Sequence, residues 1–260
     1  MDALNAVSLL AYAVATVLYL AFHARLLPSL GRAARISLAL GWVVQTVDIG
    51  IRCVHMQHPA SSTPEAMAFI AWTLVAGFLL ASLRYRLDAA GAFAVPAAVI
   101  LLLLSRVVPA GEAAPAGPLM TAHIFLATLG VATFALASIV EILYLVQERR
   151  LKRKQLDRLR PGGVPLDTLD RLAARCVSIG FPIFTVALVT GALVVARMGL
   201  IQKGLVRPEY ILAVASWVAF GVLLVARVGG WQGRRAAWLT VSGFAGVLLV
   251  VLGYFIRAAV

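Results

Sequence analysis

Charge is scarce in this chain of 260 residues: only 13% is Asp, Glu, Lys or Arg, against 62% hydrophobic residues and a mean hydropathy of +0.95. That scarcity excludes a soluble globular domain. Cysteine is nearly absent too, with Cys53 and Cys176 alone and no CxxC pair, so thiol–disulfide exchange within the chain is not expected. No nucleophile–base pair or cofactor motif is evident, and an enzyme in its own right is not expected. The basic n-region and small-residue cleavage site of a signal peptide are missing around the first apolar stretch, which therefore reads as a retained helix. Paired broken half-helices, the mark of many secondary transporters, are not visible either.

What is present is a series of eight apolar segments, at about 3–22, 34–54, 65–83, 91–108, 119–146, 176–196, 209–226 and 236–256. Each is near the roughly 20 residues that cross a hydrocarbon core of about 30 Å. The basic residues alternate in side. Of 23 Lys and Arg, 17 lie in the loops after segments one, three, five and seven. The other side holds Arg52, Arg106, Arg197, Lys203, Arg207 and Arg257. By the positive-inside bias the basic loops are cytoplasmic and both termini face outward. The expectation is an all-α, polytopic bundle of eight transmembrane helices, a single integral membrane domain over 1–260, in a bacterial plasma membrane. The net charge of +12 is confined to short loops beside apolar spans, which favours contact with anionic lipid, about 1 kcal/mol per cation near the surface, over nucleic acid. On this topology Cys53 and Cys176 lie near opposite membrane surfaces, too far apart for a disulfide, and read as small buried residues.

Two connections are longer. The outer one, 109–118, is rich in Pro, Gly and Ala. The cytoplasmic one, 148–175, begins as a continuation of helix five to about 158, before Pro161-Gly162-Gly163 stops it. Asp167 and Asp170 then fit the first turn of a short amphipathic lead into helix six, which Gly180-Phe181-Pro182 breaks near its cytoplasmic end.

Ionisable groups inside a membrane need a reason, since each costs about 2.5–3.5 kcal/mol at the centre on insertion scales. Asp48 and Arg52, four apart in helix two, can form a self-neutralising pair on one face. Glu141 in helix five is expected to hydrogen-bond a neighbouring helix. Of the four histidines, His23 ends helix one on the inner side. His55 and His58 end helix two on the outer side, and His123 opens helix five there. These three allow two readings, solvated loop residues or ligands to haem iron, since two imidazoles from different helices can clamp one iron. Zinc is less suited, for want of a third or fourth ligand at fitting spacing. In the haem reading His123 is one axial ligand, His58 or His55 the second, and Arg52 or Arg106 neutralises a propionate.

At these residues the chain resembles a known family. Ile51-Arg52-Cys53-Val54-His55-Met56-Gln57-His58-Pro59, followed by Pro64-Glu65-Ala66-Met67-Ala68-Phe69-Ile70-Ala71-Trp72, is similar to the second and third helices of CcsA-type cytochrome c assembly proteins. Gly117-Pro118-Leu119-Met120-Thr121-Ala122-His123-Ile124 resembles the start of the family's long helix. That helix continues as Glu141-Ile142-Leu143-Tyr144-Leu145-Val146-Gln147-Glu148-Arg149-Arg150-Leu151-Lys152, close to the pattern of the HemX branch. Ile179-Gly180-Phe181-Pro182 and Gly230-Trp231-Gln232-Gly233-Arg234-Arg235-Ala236 fit the later helices, and the likeness spans about 48–250.

The family's synthetases carry a tryptophan-rich outer segment, the WWD motif, that holds haem, whereas the stretch 198–209 here has no Trp. They also have a His just before the Gly-Trp-x-Gly turn, where this chain has Ala226-Arg227. The reduced pattern resembles HemX-like proteins, which are linked to haem biosynthesis through glutamyl-tRNA reductase levels. The resemblance implies a haem-handling membrane protein in cytochrome c biogenesis or haem supply, with other cytochrome c assembly or haem-biosynthesis proteins as partners. Its alternative is a HemX-type regulator that binds no haem and meets its partner through the basic segment 149–160.

Overall fold

A computed structural model describes residues 2–24, 29–54, 62–85, 87–109, 117–154, 164–197 and 208–259. Among them are eight helices: α1 (Asp2–His23), α2 (Leu30–Val54), α3 (Thr63–Arg84), α4 (Asp88–Val107), α5 (Pro118–Lys152), α6 (Leu166–Arg197), α7 (Pro208–Val228) and α8 (Arg234–Ala259). All eight are long and apolar enough to cross a membrane, and the described residues contain no strand. They fall into two compact units, Met1–Ala116 with α1–α4 and Gly117–Val260 with α5–α8.

In the first unit α1 packs on α2 and α4, and α3 on α4 and α2. On α1 the buried residues are Ser8, Tyr12, Ala15, Tyr19 and Phe22, spaced alternately by four and three, which draws one stripe down the helix. The opposite face is no less apolar, with Leu10, Val14, Val17 and Leu20 exposed. A helix apolar all round whose outer face stays uncovered is at home in lipid, where hydrocarbon is as good a neighbour as protein. Side-chain polarity and shape then decide which face turns inward. Tyr12 seats its ring where a side chain on Gly41 would stand, 2.8 Å from that glycine's hypothetical Cβ. Its hydroxyl donates to Gln45 Oε1 at 2.7 Å, and Gln45 Nε2 donates to the carbonyl of Ala68 at 2.9 Å. One glutamine thus joins α1, α2 and α3. Trp42 and Trp72 stack at 5.5 Å; the Trp72 indole donates to Thr46 Oγ1 and the Trp42 indole to the Trp72 carbonyl. Arg35 of α2 pairs with Asp88 at the start of α4, 3.1 Å away.

In the second unit α5 packs along α6 and against α8, while α7 lies on α8 and α6. Its core is aromatic: Phe134 of α5 stacks on Phe220 of α7 at 3.7 Å and meets Phe184 of α6 edge-on at 5.4 Å. Gly117 and Pro118 open α5, the proline standing where its missing N–H costs nothing. The helix is 35 residues long, about 52 Å, well beyond one bilayer core.

Three local expectations are revised. Helix α5 ends at Lys152 rather than near 158, because Lys154 takes a positive φ of 54° and its N–H turns back to the Leu151 carbonyl at 2.9 Å. Gly180-Phe181-Pro182 does not break helix six, and the amphipathic lead at 166 runs straight into it as expected. Leu166–Arg197 is one helix of 32 residues that runs through Pro182, with Leu169, Leu172, Ala173 and Cys176 continuing its buried stripe. Cys53 is exposed on α2 instead of buried, while Cys176 is buried, and both are free.

Candidate functional site

His123 lies five residues inside α5, about 7 Å along its axis from Pro118. Its ring is half-buried against α6. His123 Nδ1 stands 2.8 Å from the carbonyl oxygen of Ala187. A carbonyl only accepts, so Nδ1 must carry the proton and donate, and the lone pair is left on Nε2. Thr190 Oγ1 is 3.4 Å from the same Nδ1 and has its one proton within reach of the carbonyls of Val186 and Ala187, 2.8 and 2.9 Å away. Gly191 gives the ring its room: a Cβ there would stand 2.7 Å from Cε1. α6 therefore fixes the tautomer and the tilt of the imidazole together. That is how protein partners commonly orient a metal-ligating histidine, through the nitrogen that does not bind.

The other residues expected at this surface fare differently. His55 and His58 lie outside the described residues. In the first unit, Asp48 and Arg52 pair at 3.0 Å on α2, and Arg52 also reaches Glu65 of α3 at 3.9 Å. The Arg52 guanidinium thus faces two carboxylates already. Arg106 is exposed in the last turn of α4. These groups stand at the end of the first unit where α1 begins, α2 ends, α3 begins and α4 ends.

Glu141 lies 18 residues beyond His123 on α5, about 27 Å along the axis, towards the basic end of the helix. It is fully buried. Arg227 of α7 donates to Glu141 Oε1 at 2.7 Å and to Asp170 Oδ1 of α6 at 3.2 Å. The backbone N–H of Gly233, just before α8, donates to the same Asp170 oxygen at 3.2 Å. One guanidinium and two carboxylates thereby tie together all four helices of the second unit. Sequence reading had Glu141 bonding a neighbouring helix but placed Asp170 in a helix start and Arg227 in a basic loop. The available signal was that one acid inside a span and one Arg at a span's end share the expected cytoplasmic side.

Among the described residues no group of three or more His, Cys, Asp or Glu is placed to hold a bare metal ion. A single imidazole with a free Nε2 suits a haem iron, whose four equatorial nitrogens come from the porphyrin, so His123 fits that group.

Residues 60–258 match the sequence profile of a family described as Cytochrome C assembly protein. The chain is 26% identical over 242 residues to the cytochrome c biogenesis protein CcsA of Guillardia theta, covering 84% of this chain and 80% of that one. With the CcsA protein of Gloeobacter violaceus it shares 25% identity over 300 aligned positions, 92% of this chain and 88% of the other. A shorter stretch of 88 residues, 34% of this chain and 26% of the relative, is 38% identical to CcsA of a Synechocystis strain. No solved structure matches the chain.

Proposed function

We propose, from the premise that this chain belongs to the cytochrome c assembly protein family, that it handles haem in cytochrome c biogenesis, with His123 as an axial ligand through Nε2. The chain is a multi-pass membrane protein of that family, with eight apolar spans. The observation that carries the reading is the 2.8 Å contact of His123 Nδ1 with the Ala187 carbonyl, which leaves Nε2 unprotonated and oriented. A solvated loop histidine has no need of such a seat. Haem, when bound, would supply an iron able to take an imidazole nitrogen as ligand. The residues of this chain have three tasks around it. His123 offers the lone pair, Ala187 holds the proton on the far nitrogen, and Gly191 leaves space for the ring. On the sequence reading the second ligand is His58 or His55, and Arg106 offers a cation for a propionate. The regulator reading of HemX type gains no support from the relatives.

The test is the absorption spectrum of protein purified from cells well supplied with haem. Wild type should carry a Soret band that His123→Ala loses or shifts, with His55→Ala and His58→Ala assayed beside it. A colourless wild type that takes up no added haem would contradict the proposal and leave the regulator reading in its place.

A further inference from the structure

The seat of His123 holds one more polar atom than the tautomer needs. Thr190 Oγ1 of α6 stands 3.4 Å from Nδ1, beside the Ala187 carbonyl that takes the ring's proton at 2.8 Å. What the hydroxyl does there follows from counting lone pairs. A carbonyl oxygen has two, and a hydroxyl has one proton to give. Positions 186–191 lie inside the continuous helix Leu166–Arg197, so the Val186 carbonyl accepts from the N–H of Thr190 and the Ala187 carbonyl from the N–H of Gly191. Each oxygen then has one lone pair left. His123 Nδ1–H fills the one on Ala187. The Thr190 proton, with the Val186 oxygen at 2.8 Å and the Ala187 oxygen at 2.9 Å, therefore goes to Val186. Its proton spent there, Oγ1 turns only lone pairs to the ring. At 3.4 Å it is a second, weaker acceptor for the same Nδ1–H.

We propose that Thr190 is a positioning residue for His123, biasing its Nε2 towards ferric over ferrous haem iron. The proposal rests on the haem reading above. Two acceptors on Nδ1–H draw its proton away from the ring and leave more electron density on Nε2. An electron-richer imidazole favours the more highly charged iron, so the hydroxyl lowers the potential of a haem bound there. Thr190 acts only through the ring. The Ala187 carbonyl is backbone and is present whatever residue stands there, whereas the hydroxyl is set by the side chain at 190. Valine has nearly the shape of threonine and lacks the acceptor.

Thr190→Val and Thr190→Ser test it by two measurements on the full chain in nanodiscs. The first needs no haem: NMR of histidine-labelled protein, with the His123 signals assigned by their loss in His123→Ala. Thr190→Val should move the Nδ1–H proton resonance upfield, as the loss of an acceptor does, and Thr190→Ser should restore it. The second is the midpoint potential of bound haem. Thr190→Val should lose about threefold in preference for ferric over ferrous iron, an upward shift of about 28 mV for a one-electron couple. Thr190→Ser should return the potential to that of wild type. Should the valine protein fail to fold, Thr190→Ala takes its place with the same expectations. A wild type that takes up no haem overturns the haem reading and this proposal together. Haem held at one potential in all the proteins, a shift that serine does not reverse, or an Nδ1–H resonance that loss of the hydroxyl leaves in place overturns this proposal alone.

Discussion

His123 depends on what α6 does not have at position 191. With a Cβ placed 2.7 Å from Cε1, Gly191→Ala forces the imidazole to move, and the bond to Ala187 is the first thing lost. Purified Gly191→Ala should therefore retain less haem than wild type at the same yield of folded protein, and Gly191→Val less again; a haem content unchanged by either would show that the seat is unimportant. Asp48 and Arg52 make a second residue-scale case. Asp48→Ala leaves Arg52 with only the longer contact to Glu65, so thermal stability should fall. Asp48→Asn combined with Arg52→Gln should be milder than Asp48→Asn alone, as measured by detergent-solubilised melting temperature. Additive losses would mean that the pair does not interact.

Helix contacts in the second unit converge on Arg227, which α5, α6 and α7 share through Glu141 and Asp170. Removing one member of a buried charge cluster costs about 3–5 kcal/mol, whereas removing all of them can be close to neutral. Arg227→Met should therefore destabilise the unit strongly. Adding Glu141→Gln and Asp170→Asn should recover much of the loss in a denaturation midpoint. The elements themselves were legible from apolar length, since all eight observed helices overlap the eight segments read from hydropathy. Their ends were less so. The stop of α5 depends on the conformation of one residue, Lys154, which no composition rule marks. The Arg227 cluster joins residues 86 and 57 positions apart in sequence. Such partners become visible only once the rotation of each helix about its axis is known, and helices apolar on every face give periodicity little to work with. Asp48 and Arg52, four apart on one helix, were readable for the opposite reason.

For the whole chain, the split of 17 basic residues against 6 predicts a topology with both termini outside and 148–175 inside. In a background with Cys53→Ser and Cys176→Ala, a cysteine at Gly162 should resist a membrane-impermeant thiol reagent in intact cells, while one at Ala114 should react. The reverse pattern would move His123 to the cytoplasmic side, away from any extracytoplasmic cytochrome. Family membership and the eight spans stand on the sequence as a whole; the ligand role of His123 stands on one geometry and asks for the most direct measurement. That measurement is chemical rescue of His123→Gly: haem is titrated into the purified variant with and without free imidazole, and the Soret band is followed. Restoration of the wild-type band by imidazole, with no effect of imidazole on His123→Phe, is the result expected if Nε2 ligates the iron. A His123→Gly protein that binds haem with an unchanged spectrum in the absence of imidazole would contradict it.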